Sequence, residues 1–230
     1  MAIIQSGVSG STLMTVDPTY TAGRVAIRPI EQLGTYAYGG RTGDVTGIGV
    51  GPIFSMRFVA GSAGSAQIAI IQRISINWIV KTTAFGTAGE LAVGAYVARS
   101  FTASDSAQTP IVLTGNNNKN RTSAQTSQIA ATGDMRIANA STITTGTRTL
   151  DANAFAVANS YYGTTLLTTG VQPLQQTILY ETFPGDTPFI LQSNEGIVIQ
   201  NLVAFAASGV VVFAINIEWS ESATSATTSY

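Results

Sequence analysis

The sequence predicts an all-β protein, an antiparallel β-sandwich of jelly-roll type with an extended N-terminal arm. Three observations predict it. Apolar residues recur with period two in stretches rich in Val, Ile, Phe and Trp, the pattern of a strand with one buried face. Gly, Pro, Asn and Asp separate these stretches, as turns require. Amphipathic helical spacing is confined to one candidate, Leu150 to Ser160, where Asp151 would cap a short Ala-rich helix.

The elements follow in order. Residues 1–24 carry Gly, Ser, Thr and Asp-Pro without a sustained period and read as an extended arm. Such an arm is either a frayed terminus or a segment that docks on a neighbouring subunit. Ile3, Ile4, Leu13 and Met14 suit docking better than a solvated tail.

Arg24 to Ile30 alternates weakly. Ile53 to Val59 places Phe54, Met56 and Phe58 on one face. In the long stretch Gln67 to Thr83, Ile74, Ile76, Trp78 and Val80 oppose Ser75, Asn77, Ile79 and Lys81. Leu91 to Ala98 repeats the pattern, and Pro110 to Thr114 and Thr177 to Glu181 are shorter candidates. Phe189 to Gln192 and Gly196 to Asn201 form an expected pair around Ser193-Asn194-Glu195. A last hairpin is expected to turn near Ser208-Gly209, its second strand presenting Val211, Phe213, Ile215, Ile217 and Trp219 on one face.

One apolar face per strand implies two layers over one core. A single domain is expected over 25–220, with a polar insertion at about 115–149 whose only large apolar residues are Ile129, Met135, Ile137 and Ile143. So long a polar stretch reads as an interface loop or one ordered by a partner. Residues 221–230 read as a flexible tail.

Composition narrows the function. The chain has no His and no Cys, which removes the commonest general base, disulfides and nearly all zinc chemistry. No enzyme activity and no cofactor are expected. Only 10% of residues are charged and the net charge is −1, so nothing electrostatic favours a nucleic-acid partner and little self-repulsion keeps copies apart. The longest apolar stretch, Leu202 to Ile217, spans 16 residues and contains Ser208-Gly209 and Asn216. It is short for a membrane span, and the N-terminal residues lack a secretory signal pattern. A soluble protein made in the cytoplasm is expected.

Conventional chemistry could reside only in carboxylates. Asp105, Asp134, Asp151, Asp186 and Glu195 sit in turn-like contexts, and a pair of them could serve glycoside hydrolysis, but each is equally a turn former or cap. Asp44, Asp105 and Asp186 lack the spacing of a calcium loop. The run Gly115 to Thr122 offers amides and Arg121 for phosphate or sugar hydroxyls, or is a solvated loop. Its Asn120-Arg121-Thr122, like Asn139-Ala140-Ser141, is a chance match to a glycosylation sequon in a chain without a secretory signal. Nine Arg stand against two Lys, and Arg28, Arg57, Arg73 and Arg99 on or beside strands suit either surface ion pairs or subunit contacts.

Several stretches occur together: Val16-Asp17-Pro18-Thr19-Tyr20-Thr21-Ala22-Gly23-Arg24 leading into Ile27-Arg28-Pro29, Leu113 to Lys119 followed by Arg121-Thr122-Ser123, Asn194-Glu195-Gly196-Ile197 before Asn201-Leu202, and Asn216-Ile217-Glu218-Trp219. In these the chain resembles virion proteins of tailed bacteriophages that are encoded among the head and tail structural genes. The resemblance implies a particle component present in many copies, such as a capsid decoration or cement protein on the head surface. Its partners would be itself, as a trimer, and the major capsid protein. Candidate contact residues are Ile3, Ile4, Leu13 and Met14 of the arm and Asn116, Asn117, Asn118 and Arg121 of the polar insertion. Three alternatives stand beside it. One is a tail, baseplate or fibre component, although the chain has no repetitive shaft. Another is a carbohydrate-binding sandwich stacking sugars on Tyr161, Tyr162, Trp78 or Trp219. The third is a self-sufficient coat protein, although no basic arm serves genome packaging.

Overall fold

Strand-forming residues in alternation fold here into two antiparallel sheets packed face to face. The computed structural model describes residues 33–62, 65–81, 86–114, 118–131, 134–163, 176–183, 186–205 and 209–223. The arm with Ile3, Ile4, Leu13 and Met14, the expected strand Arg24 to Ile30, and Asn116 and Asn117 lie outside the described residues. The strands are β1 (Gly34–Arg41), β2 (Val45–Thr46), β3 (Gly51–Phe58), β4 (Ile68–Lys81), β5 (Gly89–Arg99), β6 (Thr109–Pro110), β7 (Asp134–Ile137), β8 (Thr149–Leu150), β9 (Ala156–Tyr162), β10 (Thr177–Glu181), β11 (Phe189–Leu191), β12 (Glu195–Asn201) and β13 (Val210–Ser222). One helical turn, α1 (Gln128–Ala131), lies between β6 and β7.

The connectivity is that of a rolled hairpin. Eight strands pair as β1 with β13, β3 with β12, β4 with β10 and β5 with β9, all antiparallel. Pairing of β13 with β4 closes one sheet in the order β1-β13-β4-β10, and pairing of β12 with β5 closes the other through β3-β12-β5 to β9. Alternate long strands therefore enter opposite layers, which is the jelly roll.

The core lies between the layers. Phe54, Met56 and Phe58 of β3 and Leu91, Val93 and Ala95 of β5 are buried, and so are Val211, Phe213, Ile215, Ile217 and Trp219 of β13, on the faces that alternation assigns. Tyr36 stacks on Trp219 at 5.5 Å between ring centroids, an offset aromatic pair of the favourable kind. Ile71 and Ile74 are three apart yet both wholly buried. The register slip opposite Glu218/Trp219 absorbs the odd residue, Gln72, as a bulge.

Four expectations change. Leu202 to Phe205, the described part of the expected arm before β13, is not a strand, and Ser208 of the expected turn lies outside the described residues. The pair read around Ser193-Asn194-Glu195 is not a local hairpin either: β11 joins β4 in one sheet while β12 joins β3 and β5 in the other. Alternation tells which face of a strand turns inward but not which layer it enters. The turn itself is present, with Asn194 at φ 63°. Leu150 to Ser160 is not helical; Ala156–Tyr162 is a strand on β5. Its Ala content reads as helix, but Val157, Tyr161 and Tyr162 are strand formers and tertiary pairing decides. Glu221 and Ser222, expected in the tail, are instead buried members of β13, and residues 224–230 lie outside the described residues.

The expected polar insertion is also built into the fold where it is described. Ile129, Met135, Ile137 and Ile143 are buried, and β7 extends the second sheet beyond β3. The excursion from β5 to β9 thus crosses the outer side of the second sheet, adds β6 and β7 at one edge, and returns as β8 to β5. Among the described residues no helix is long and apolar enough to cross a membrane.

Candidate interface surface and the clusters beneath it

The two contact candidates that are described lie beside the free edge of β1. Asn118 adopts φ 64°, a left-handed conformation that Asn tolerates better than most residues. It grips one residue of β1 twice: its Nδ2 donates to the Ala37 carbonyl at 2.8 Å, and its own carbonyl accepts from Ala37 N at 2.9 Å. Asn120 N adds a bond to the Thr35 carbonyl at 2.9 Å, and Lys119 bridges to Tyr36. Short as it is, this segment covers an edge that would otherwise be open to pairing. The Asn118 amide is therefore occupied within the chain. Arg121 is exposed, and its carbonyl accepts from Ala124 N.

A second cluster holds the excursion onto the outer face of the second sheet. Phe101 packs on Ala98 and Val198, with Leu150 beside them. The Arg148 guanidinium lies over the Phe101 ring at 5.2 Å and 3.2 Å from Asp105 Oδ2, with side chains only 2% and 1% exposed. Burial pulls the Arg148 pKa down and the Asp105 charge opposes that. Arg148 Nε and Nη1 have no hydrogen-bond partner among the described residues, and the ring face is the electron-rich surface they meet. Asp105 Oδ1 accepts from Gly146 N at 2.8 Å. Gly is required there, since a Cβ would collide with the carbonyls of Ala103 and Ser104. Arg57 closes the other side, donating from Nη1 to the Thr102 carbonyl at 3.0 Å. Sequence reasoning missed Arg148, whose partner is 43 positions away (148 − 105) in the chain.

The acidic candidates are engaged elsewhere. Asp151 and Glu195, which spacing gave no reason to join, both bind Arg99, at 3.2 and 2.5 Å. Those two hydrogen bonds raise the Arg99 pKa. Glu195 Oε2 also accepts from Gln192 N at 2.8 Å, closing the turn before β12. Asp134 pairs with Arg136 at 3.1 Å, Asp44 with Lys81 at 2.8 Å, and Asp186 accepts from Phe183 N at 3.0 Å. Among the described residues no three acidic side chains gather.

Glu221 is the buried carboxyl that sequence reasoning placed in a tail. It accepts from Ser127 Oγ at 2.5 Å, Gln128 N at 2.9 Å and Trp219 Nε1 at 3.1 Å, so it joins the start of α1 to the end of β13. Burial raises its pKa, and these donors partly counter that.

Of the four aromatic residues weighed for sugar stacking, Trp219 and Tyr162 are buried. Trp78 is half-buried and donates Nε1–H to Ser160 Oγ at 2.8 Å. Tyr161 alone among them stands in solvent, 77% exposed on β9.

The class that the fold defines is thus an antiparallel two-layer jelly-roll protein. No protein-family model matches the sequence, and no curated protein matches it. Among solved structures, the chain is similar to turnip yellow mosaic virus at 100 K, with 10% identity, 86% of this chain and 99% of that chain covered, and a TM-score of 0.26. The empty head of the same virus gives 12% identity, 90% and 92% coverage and a TM-score of 0.26. Desmodium yellow mottle tymovirus gives 10% identity, 90% and 99% coverage and a TM-score of 0.21. Likenesses this loose bear on neither the fold nor the function of the chain.

Proposed function

We propose that this chain is a structural protein of a bacteriophage virion, a capsid decoration or cement protein that associates with itself and with the major capsid protein on the head surface. The observation that carries the reading is how the charged residues are used. Carboxylates at 44, 105, 134, 151, 181 and 195 lie in ion pairs with Lys81, Arg148, Arg136, Arg99, Arg73 and Arg99 in turn. Most of these pairs tie loop to strand, as Asp44 to Lys81 and Asp151 to Arg99, or strand to strand, as Glu181 to Arg73 and Glu195 to Arg99, a use that favours a rigid module with an adhesive surface over a reaction centre.

Residues 16–29, the first stretch of the phage resemblance, lie outside the described residues, but parts of the other stretches fall on structural positions in the fold. Asn118 clamps the β1 edge, Asn194 makes the turn into β12, and Asn216 to Trp219 form the centre of the strand that lines the core. Their likeness to virion proteins is a likeness of fold-determining residues.

Such a protein works by mass action. Binding the assembled shell and not its dissociated subunits shifts the equilibrium toward the intact particle. A trimer suits the joints between capsid subunits, where several copies of one shell protein meet. The test is to add purified protein to phage heads assembled without it and measure survival under osmotic shock. Stoichiometric binding with raised survival supports the reading. Recovery of the protein on isolated tails, with none on heads, would place it with the tail or baseplate instead.

A further inference from the structure

We propose that β9 is an association edge at which two copies of this chain pair β9 to β9 antiparallel. The other sheet edges are protected among the described residues. Asn118 to Asn120 cover β1. The edge strands β2, β6 and β8 are two residues long, β6 with Pro110, β10 is broken by a bulge between Ile178 and Tyr180, and β11 has three residues. Short strands, Pro and bulges are the devices that keep edges from pairing.

The strand β9 has none of them. Its seven residues contain no Lys, Arg or Pro and run in unbroken register with β5 from Tyr162 to Ala156. Its other side pairs with no strand among the described residues. Every second residue of an edge strand turns its N–H and C=O outward. Beside those groups Val157 is 57% and Tyr161 77% exposed, with Asn159 between them.

The side-chain pattern identifies the occupant as a second copy. Antiparallel pairing centred on Asn159 sets Val157 opposite Tyr161 of the other copy, and Tyr161 opposite its Val157, with Asn159 facing Asn159. Aromatic against β-branched is among the favourable cross-strand pairs, and one two-fold axis satisfies both at once. No charge on β9 opposes its copy; Glu90 on β5 is held by Asn159 Nδ2 at 3.2 Å. The contact links two monomers, or two trimers. It rests on the self-association in the proposed function but not on the phage head.

The chain has no native Cys, so a single introduced thiol reports the register. We expect Asn159→Cys with oxidised glutathione to give a covalent dimer, since the facing Cα atoms of such a hydrogen-bonded pair stand about 5.5 Å apart, within disulfide reach. Val157→Cys should give at least tenfold less, its two copies being about 14 Å apart. Asn159→Asp, which sets like charges face to face, should weaken association at least tenfold; circular dichroism should show the fold kept. Equal crosslinking at both positions, or an oligomer unchanged by Asn159→Asp, overturns the edge assignment while leaving self-association through another surface. A strict monomer free of crosslinks removes both the edge and the self-association. Protection of β9 amides gained only on phage heads would assign the edge to a strand of the shell protein, and would also overturn pairing between copies.

Discussion

Two residues show how local chemistry fixes the ends of strands. Glu221 is held by neutral donors in a buried position, and burial raises its pKa above the ordinary 4.5. A carboxyl that binds its proton more tightly folded than unfolded stabilises the folded state fully below its unfolded pKa. That contribution is lost as pH rises through the folded value. Unfolding free energy measured by urea titration should therefore fall as pH rises from about 4.5, and the fall should shrink in Glu221→Gln. A Glu221-dependent rise over that window would contradict the assignment. Asn118 makes the second case. Replacing it with Ala removes the side-chain bond to Ala37 and leaves at φ 64° a residue without the polar side chain that helps Asn tolerate the left-handed region, a loss of about 1–3 kcal/mol. Exchange of the Ala37 and Asn120 amides should quicken with it, a loosening that hydrogen-exchange NMR reads directly.

At the scale of elements, the excursion between β5 and β9 depends on charges that left no local trace in the sequence. Asp105 and Arg148 are both buried and joined at 3.2 Å. Breaking such a pair by removing one partner leaves an uncompensated buried charge and costs about 3–5 kcal/mol. Arg148→Met and Asp105→Leu should each lower stability by that order. The double variant should recover a large part of the loss, since the apolar pair meets Phe101, Ala98 and Val198. Losses that simply add in a double-mutant cycle would show that the two residues act separately.

The same scale explains what could be read in advance. Strand faces were legible, because Ile74, Ile76, Ile215, Ile217 and Trp219 alternate with polar residues whatever their partners. Strand partners were not: pairing of β1 with β13 joins Gly34 to Glu221 across nearly the whole described chain. The polar stretch at 115–149 was legible as unusual but not as sheet, since β7 has only four residues, Asp134–Ile137, and owes its form to β3. Of the candidate contact residues, Asn118 could be recognised as special from its Asn-rich setting, but not as a clamp on its own β1.

The whole molecule is a jelly roll with 10% charged residues and a net charge of −1, a surface that gives copies little cause to repel one another. Among the described residues most sheet edges are covered, bulged or cut short, while β9 offers Val157 and Tyr161 in solvent. Association is therefore expected to belong to the folded domain and to survive moderate salt, because it draws on backbone pairing and apolar contact in place of long-range attraction. The most direct test is the native mass of the purified full chain by light scattering behind a sizing column, over a hundredfold range of concentration. A discrete small oligomer, unchanged in raised salt, is the predicted result. A single species at 23.9 kDa throughout that range would contradict a self-associating structural protein.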